Sequence, residues 1–172
     1  TNVNITGNTQ AKINCAGTEQ IHIADNLGTE SEIKVTVPNT ATVGTTVATF
    51  ASEDIMTACK KNRNIVLSEA SYALSYDVTN LNATLVDAVA VVEDSGYASL
   101  AEAIDVASTM TSGVENPIII TLISDTVAVN SVTKIPTGTF VEITDDGTQR
   151  TLQRASGCTT EMFNVAGGAG LT

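Results

Sequence analysis

Apolar and polar residues alternate in short runs along most of the chain. "VNITG" sets Val3 and Ile5 on one face, and "AKINCAG" does the same with Ala11, Ile13 and Cys15. "QIHIAD" aligns Ile21 with Ile23, and "EIKVTVP" aligns Ile33, Val35 and Val37. A period of two over a few residues predicts strands with one buried face. Pro38 ends the fourth run because it cannot donate to a ladder. "TVGTTVATF" predicts one more strand after Gly44.

Two segments change the period. In "SEDIMTACKKNR", Ser52 is placed to cap a helix, with Glu53 and Asp54 in its first turn and Lys60, Lys61 and Arg63 at its far end. Both ends then complement the helix dipole. In "SLAEAIDVASTM", Ser99 and Glu102 form a capping box, and Leu100, Ala103, Ile104 and Ala107 fall on one stripe. Between the helices "NIVLSE", "YALSYDV", "LNATLVD" and "AVAVVED" read as short strands. "NPIIITLISD", "TVAVNSVTKI", "TFVEITDD", "RTLQR" and "MFNVAGG" follow the second helix, and Leu171 and Thr172 begin another strand.

A longer step is also present. Ile119, Val141 and Phe163 are 22 residues apart, as are Thr121, Ile143 and Val165; Ile13 to Val35 and Cys15 to Val37 repeat the step. A β-solenoid needs such a return, because each rung stacks its inward residues on the one before. A plain antiparallel sandwich fits the same strands.

Composition narrows the partners. The chain has 172 residues, and its net charge of -11 opposes nucleic acid and anionic membrane. No run of about 18 apolar residues exists, so no membrane insertion is expected. The chain opens at Thr1, without Met, which suggests a processed or excised piece of something longer. Cys15, Cys59 and Cys158 lie far apart, without a CxxC pair and with His22 as the one possible nitrogen ligand. That spacing argues against a disulfide framework or a zinc site and favours small buried thiols; their oxidation state is left open.

The stretch "GYASLAEAIDVA…IIITLISDTVAVNSVTKIPTGTFVEITDDGTQRTLQR…MFNVAGGAGLT" resembles the right-handed, pectate-lyase-like β-helix repeats of large bacterial (Firmicutes-type) cell-surface and adhesin proteins. The resemblance implies that "SLAEAI" plugs the start of a solenoid and that "IIITLISD" is its first inward strand. "KIPTGTFVEI" would then form the first full rung, and "FNVAGGAGLT" would lead into the next. "TNVNITGNT…IHIADNLGTESEIKVTVPNTATVGTTVATF" looks like the closing rungs of a preceding solenoid, and "YALSYDVTNLNATLVDAVA" like a connector. The chain has few rungs for this family and lacks its anchor and catalytic modules.

Candidate chemistry is thin. Glu142, Asp145 and Asp146 would be the carboxylates of a glycoside hydrolase, but "DDGT" is a tight-turn sequence and Glu142 alternates outward. Arg150 and Arg154 are near in sequence, and a surface Arg–Asp pair accounts for them more cheaply. His22 alternates outward without a nucleophile motif. "AGGAG" lacks dinucleotide-binding spacing and suits a rung corner. Tyr72 and Tyr76 read as core, Tyr97 as packing under the second helix, and Trp is absent. Threonine-rich strands show no ladder register for ice. The sequons at Asn4 and Asn82 are read as chance.

The expected fold is mainly β: rungs of a right-handed parallel β-helix with two short capping or connecting helices, or alternatively a β-sandwich. Residues 1–50 are read as closing rungs, 51–95 as a helix and short-strand connector, and 96–172 as the helix-capped start of a second solenoid. The expected role is structural or adhesive, in an extracellular or bacterial cell-surface protein, with no enzyme activity and no catalytic, cofactor or metal residue assigned. Expected partners are other copies, head to tail through open strand edges, neighbouring rungs of a longer chain, or a host or glycan ligand. The alternative function is a non-catalytic fragment of a polysaccharide-acting β-helix enzyme or a carbohydrate-binding β module.

Overall fold

The computed structural model describes residues 10–14 (backbone only), 20–37 and 40–172. The fold is mainly β, with two helices among the described residues, and the chain divides into two compact units, Thr1–Asp87 and Ala88–Thr172. The strands of "VNITG", and the side chains of Ala11, Ile13 and Cys15, lie outside the described residues.

The first unit runs β1 (Gln10–Asn14), β2 (Ile21–Ile23), β3 (Glu32–Thr36), β4 (Thr46–Phe50), α1 (Glu53–Asn62), β5 (Ile65–Leu67), β6 (Tyr72–Asp77) and β7 (Asn82–Asp87). β3 lies parallel between β1 and β5, with Ile13 opposite Val35 and Ile33 opposite Ile65. β2 is parallel to β4, whose other edge is antiparallel to β7, and β7 forms a hairpin with β6. Ile23, Ile33, Val35 and Val37, as the alternation predicts, fill the core with Val47 and Phe50 of β4 and Met56 and Cys59 of α1. α1 is capped as expected: the Ser52 side chain accepts from the Ile55 amide, and Arg63 ends the helix in the left-handed region at φ 53°. The buried Asn64 follows, and its Nδ2 donates to the carbonyls of Gly28 (2.9 Å) and Ser31, tying that turn to β5.

The second unit runs β8 (Ala90–Val92), β9 (Ser95–Tyr97), α2 (Leu100–Ala107), β10 (Ile118–Leu122), β11 (Thr126–Val129), β12 (Thr133–Ile135), β13 (Phe140–Asp145), β14 (Thr151–Arg154), β15 (Phe163–Val165) and β16 (Gly170–Leu171). Three consecutive strands form a tier, and each pairs in parallel with the strand three places later. β10 pairs with β13, β11 with β14, β12 with β15, and β13 in turn with β16. α2, capped by Ser99 accepting from the Glu102 amide, packs on β8, β10, β11 and β12 through Leu100, Ala103, Ile104 and Ala107. β8, antiparallel to β10 and to β9, closes the near side of the first tier.

The step between tiers differs from the expected 22 residues. It is 22 from Gln10 to Glu32 in the first unit, but 23 from Ile118 to Val141, 25 from Thr126 to Thr151 and 30 from Thr133 to Phe163. Ile118, not Ile119, sits on Val141, and Phe163 stacks on Thr133 in another ladder. Two of the three turns lengthen from one tier to the next, from 123–125 to 146–150 and from 130–132 to 155–162, so a fixed step loses the register. Two glycines matter here. Gly138 and Gly168 both take left-handed conformations (φ 82° and 76°), and the Gly138 amide bonds the Gly168 carbonyl, stacking turn on turn. Gly170 lies against the Phe140 ring, where an added Cβ would fall 2.7 Å from Cδ1.

Candidate functional site

Asp145, Asp146 and Arg150 hold turns of the second unit. Asp145 accepts from the Gly147 amide at 3.0 Å and Asp146 from the Thr148 amide at 3.2 Å, which makes the expected tight turn. Arg150 grips both Asp146 oxygens, through Nε at 3.1 Å and Nη2 at 2.7 Å, and its Nη1 reaches Asp125 in the turn before β11. This fork ties the turns of successive tiers together. The Arg150 guanidinium holds the Asp146 carboxyl below its ordinary range, and the two carboxylates raise Arg150 in turn. Asp77 is also lowered, first by the Asn80 side-chain amide, within the β6–β7 turn. Glu142 faces solvent.

The exposed His22 shares a 3.0 Å hydrogen bond with Thr49 Oγ1. Cys59 is buried, and desolvation pushes its thiol up to about 12; Cys158 is half-buried, with Sγ 3.5 Å from Thr160 Oγ1. Cys15 lies outside the described residues. Tyr72 and Tyr76 pack on the first core, where Tyr76 meets Phe50 at 6.0 Å and Lys60 lies over its ring. Tyr97 packs on the second core. Gly167 to Gly170 form a turn into β16 rather than into a helix. Among the described residues no three His, Cys, Asp or Glu side chains are grouped to hold a metal ion, and no helix is long and apolar enough to cross a membrane.

The distinctive surface is the last tier. In a parallel ladder, paired residues point to the same face, so burial is directly comparable position by position. The first tier is covered on both sides: Ile120 is 0% exposed, Val127 1%, Val129 4% and Ile135 1%. Their partners one tier on are Ile143, Leu152, Arg154 and Val165. Ile143, Leu152 and the neighbouring Phe163 and Leu171 are only half-buried, and Val165 is 43% exposed. Arg154 stands where Val129 stands below it and donates to the Thr160 carbonyl at 3.1 Å.

The backbone is open at the same place. Thr151 and Ala155 donate back to Asp125 and Val129, Ala166 donates to Ile135, and Gly170 and Thr172 donate to Thr139 and Val141. Bonding alternates along a parallel strand. The amides and carbonyls of Leu152, Arg154, Phe163, Val165 and Leu171 therefore point away from the first tier, and no described strand pairs with them.

No family model, curated protein or solved structure matches this chain.

An open edge above half-covered apolar side chains offers main-chain pairing and hydrophobic contact to an incoming strand. Alternation alone marks Phe163 and Val165 as one buried face. What it misses is that no described strand pairs beyond that face, and that Arg154 occupies an inward position. Only the register with Val129 reveals the second point.

Proposed function

We propose that the chain is a structural module of an extracellular bacterial surface protein, built from pieces of two β-solenoids. The first unit contributes the closing rungs of one, and the tiers of the second unit are the first rungs of another. Its role is spacing or adhesion rather than catalysis, and its open edges meet neighbouring rungs.

The observation that carries this reading is the order of pairing in the second unit, where each strand stacks in parallel on the strand three places earlier. Stacked rungs require that order, whereas β-sandwiches are antiparallel. α2 lies where a plug would lie, against all three strands of the first tier. The described strands do form five small sheets rather than one continuous surface. Short faces separated by turns of uneven length account for the fragmentation. The structural role follows from the same geometry: each rung contacts only its neighbours, so length grows without new topology. Asp145 and Asp146, the acids a catalytic reading would draw on first, are engaged in holding a turn.

The test is a rung duplication. A second copy of residues 140–169 inserted after Ala169 continues the 30-residue step from Phe140 to Gly170. If tiers are rungs, the lengthened protein melts higher and the insert resists protease, because nearest-neighbour stacking adds stability. An insert that is digested while the parent melts unchanged contradicts the reading. Depolymerisation of any acidic or neutral polysaccharide by the parent chain would replace it with the enzymatic alternative.

A further inference from the structure

We propose that Asp146 is a guarded modification site: its bond to Gly147 is open to isoaspartate formation, and Asp145 and Arg150 hold it closed in the folded protein.

Of the aspartates and asparagines in the chain, Asp146 alone is followed by glycine. An amide nitrogen reaches the side-chain carbon of the residue before it most easily when it belongs to glycine, whose backbone no Cβ restricts. The reaction needs no partner but water. With the Asp146 carboxyl protonated, the Gly147 nitrogen bonds to Cγ, and the Cγ hydroxyl leaves with the amide proton as water. The five-membered imide then takes up one water. Opening at Cγ restores aspartate. Opening at the Asp146 main-chain carbonyl leaves the chain running through Cγ, with the former carbonyl as a free carboxylate.

The turn engages both reacting groups. The Gly147 amide, the nucleophile, donates to Asp145 Oδ1 at 3.0 Å. On the carboxyl it would attack, Oδ1 accepts from the Thr148 amide at 3.2 Å and from Arg150 Nε at 3.1 Å, and Oδ2 accepts from Arg150 Nη2 at 2.7 Å. Attack requires this carboxyl to swing towards Gly147 and so to leave a two-pronged fork. The guanidinium also favours the ionised carboxylate, the form that cannot lose water. Arg150 is itself fixed, with its side chain 12% exposed and Nη1 on Asp125. The glycine is needed for the turn, because Gly147 sits in the left-handed region at φ 88°. Its neighbours thus suppress the chemistry that this glycine permits. Isomerisation would lengthen the main chain by one atom here and move the carboxylate off Arg150, releasing the link between the turns of successive tiers.

The test counts isoaspartate by enzymatic carboxyl methylation and locates it by peptide mapping, after long incubation in mild acid, about pH 5–6. Folded wild type should form it at Asp146 about tenfold more slowly than the same chain in urea, where the fork is absent. Arg150→Gln, still folded, should form it about tenfold faster than folded wild type, and Asp145→Ala, which frees the Gly147 amide, should also be faster. The excess in Arg150→Gln should narrow as pH falls through the ordinary 3.8, where the variant's carboxyl is already protonated and the wild type's is not. A merely slackened turn would not give that pH response. Asp125→Asn keeps the fork on Asp146 and should age like wild type. Melting curves show which variants are folded, and the wild type with and without urea tests the guard without any variant.

Equal rates for folded and unfolded wild type overturn the inference, as do folded Arg150→Gln and Asp145→Ala chains that age no faster than wild type. Asp125→Asn ageing as fast as Arg150→Gln would place the protection in the docking of tiers rather than in the fork, and would overturn it too.

Discussion

The two tiers of the second unit have the same strands in the same register, yet they live in different surroundings. The tier of β10, β11 and β12 lies between α2 with β8 on one side and the next tier on the other, and Ile120, Val127 and Ile135 are sealed. In the next tier β16 pairs with the far side of β13, while no described strand pairs with the far side of β14 or β15, and Ile143, Leu152 and Val165 are half-buried or exposed at equivalent positions. A strand's alternation therefore specifies which residues face inward, while the next layer decides whether facing inward means burial. The sequence differs accordingly: Val129 becomes Arg154, and Leu122 becomes Asp145. Charges at inward positions are a known way to blunt an edge, and here they sit beside apolar neighbours that remain uncovered.

Exchanging residues between the tiers breaks this comparison most sharply. Val129→Arg buries a charge without a partner and should cost more than about 4 kcal/mol, enough to unfold the unit. Arg154→Val, the reverse change, should lie within about 0.5 kcal/mol of wild type, since the site is exposed. Urea titration of both variants measures the pair; equal effects would mean that the tiers are equally covered.

A smaller effect separates two identical side chains. Ile120→Ala removes a fully buried group and should cost about 3–4 kcal/mol. Ile143→Ala, directly above it, should cost about 1–2 kcal/mol because part of that side chain is already in water. Denaturant midpoints at constant slope give the difference directly.

The smallest effect concerns the link between tiers. Asp146 has a folded pKa below its ordinary 3.8, set first by its hydrogen bonds to Arg150. Its contribution is present above the unfolded value and is lost as pH falls through the lower folded value. Arg150→Gln should therefore lower the melting temperature slightly near neutrality, and the gap from wild type should narrow in acid. A gap that is constant with pH would mean that the fork adds no charge-dependent stability.

Much of this fold is legible in the sequence, for local reasons. Alternation marks β2 and β3 through Ile21, Ile23, Ile33 and Val35, and the Ser52 and Ser99 caps mark both helix starts, because strand faces and caps depend on neighbours in sequence. β9 escapes, since "SGY" carries no alternation and its pairing with β8 supplies the order. Register is legible only where spacing is regular. The 22-residue step holds between Ile13 and Val35 but fails in the second unit, where the segment between β14 and β15 is longer than that between β11 and β12. The uncovered tier is not legible at all, because exposure of Val165 depends on what stacks above it. Nor does the alternation of "RTLQR" reveal that Arg154 stands on Val129.

Residue-resolved hydrogen exchange on the monomer at low concentration tests the central claim most directly. Gln153, Asn164, Gly170 and Thr172 should be protected, while Leu152, Arg154, Phe163, Val165 and Leu171 between them exchange fast, an alternation expected of a parallel tier bonded on one side only. Uniform protection along β14 and β15 would mean that something already covers the edge. Uniformly fast exchange would mean that the last tier is not formed, and either result would contradict the account.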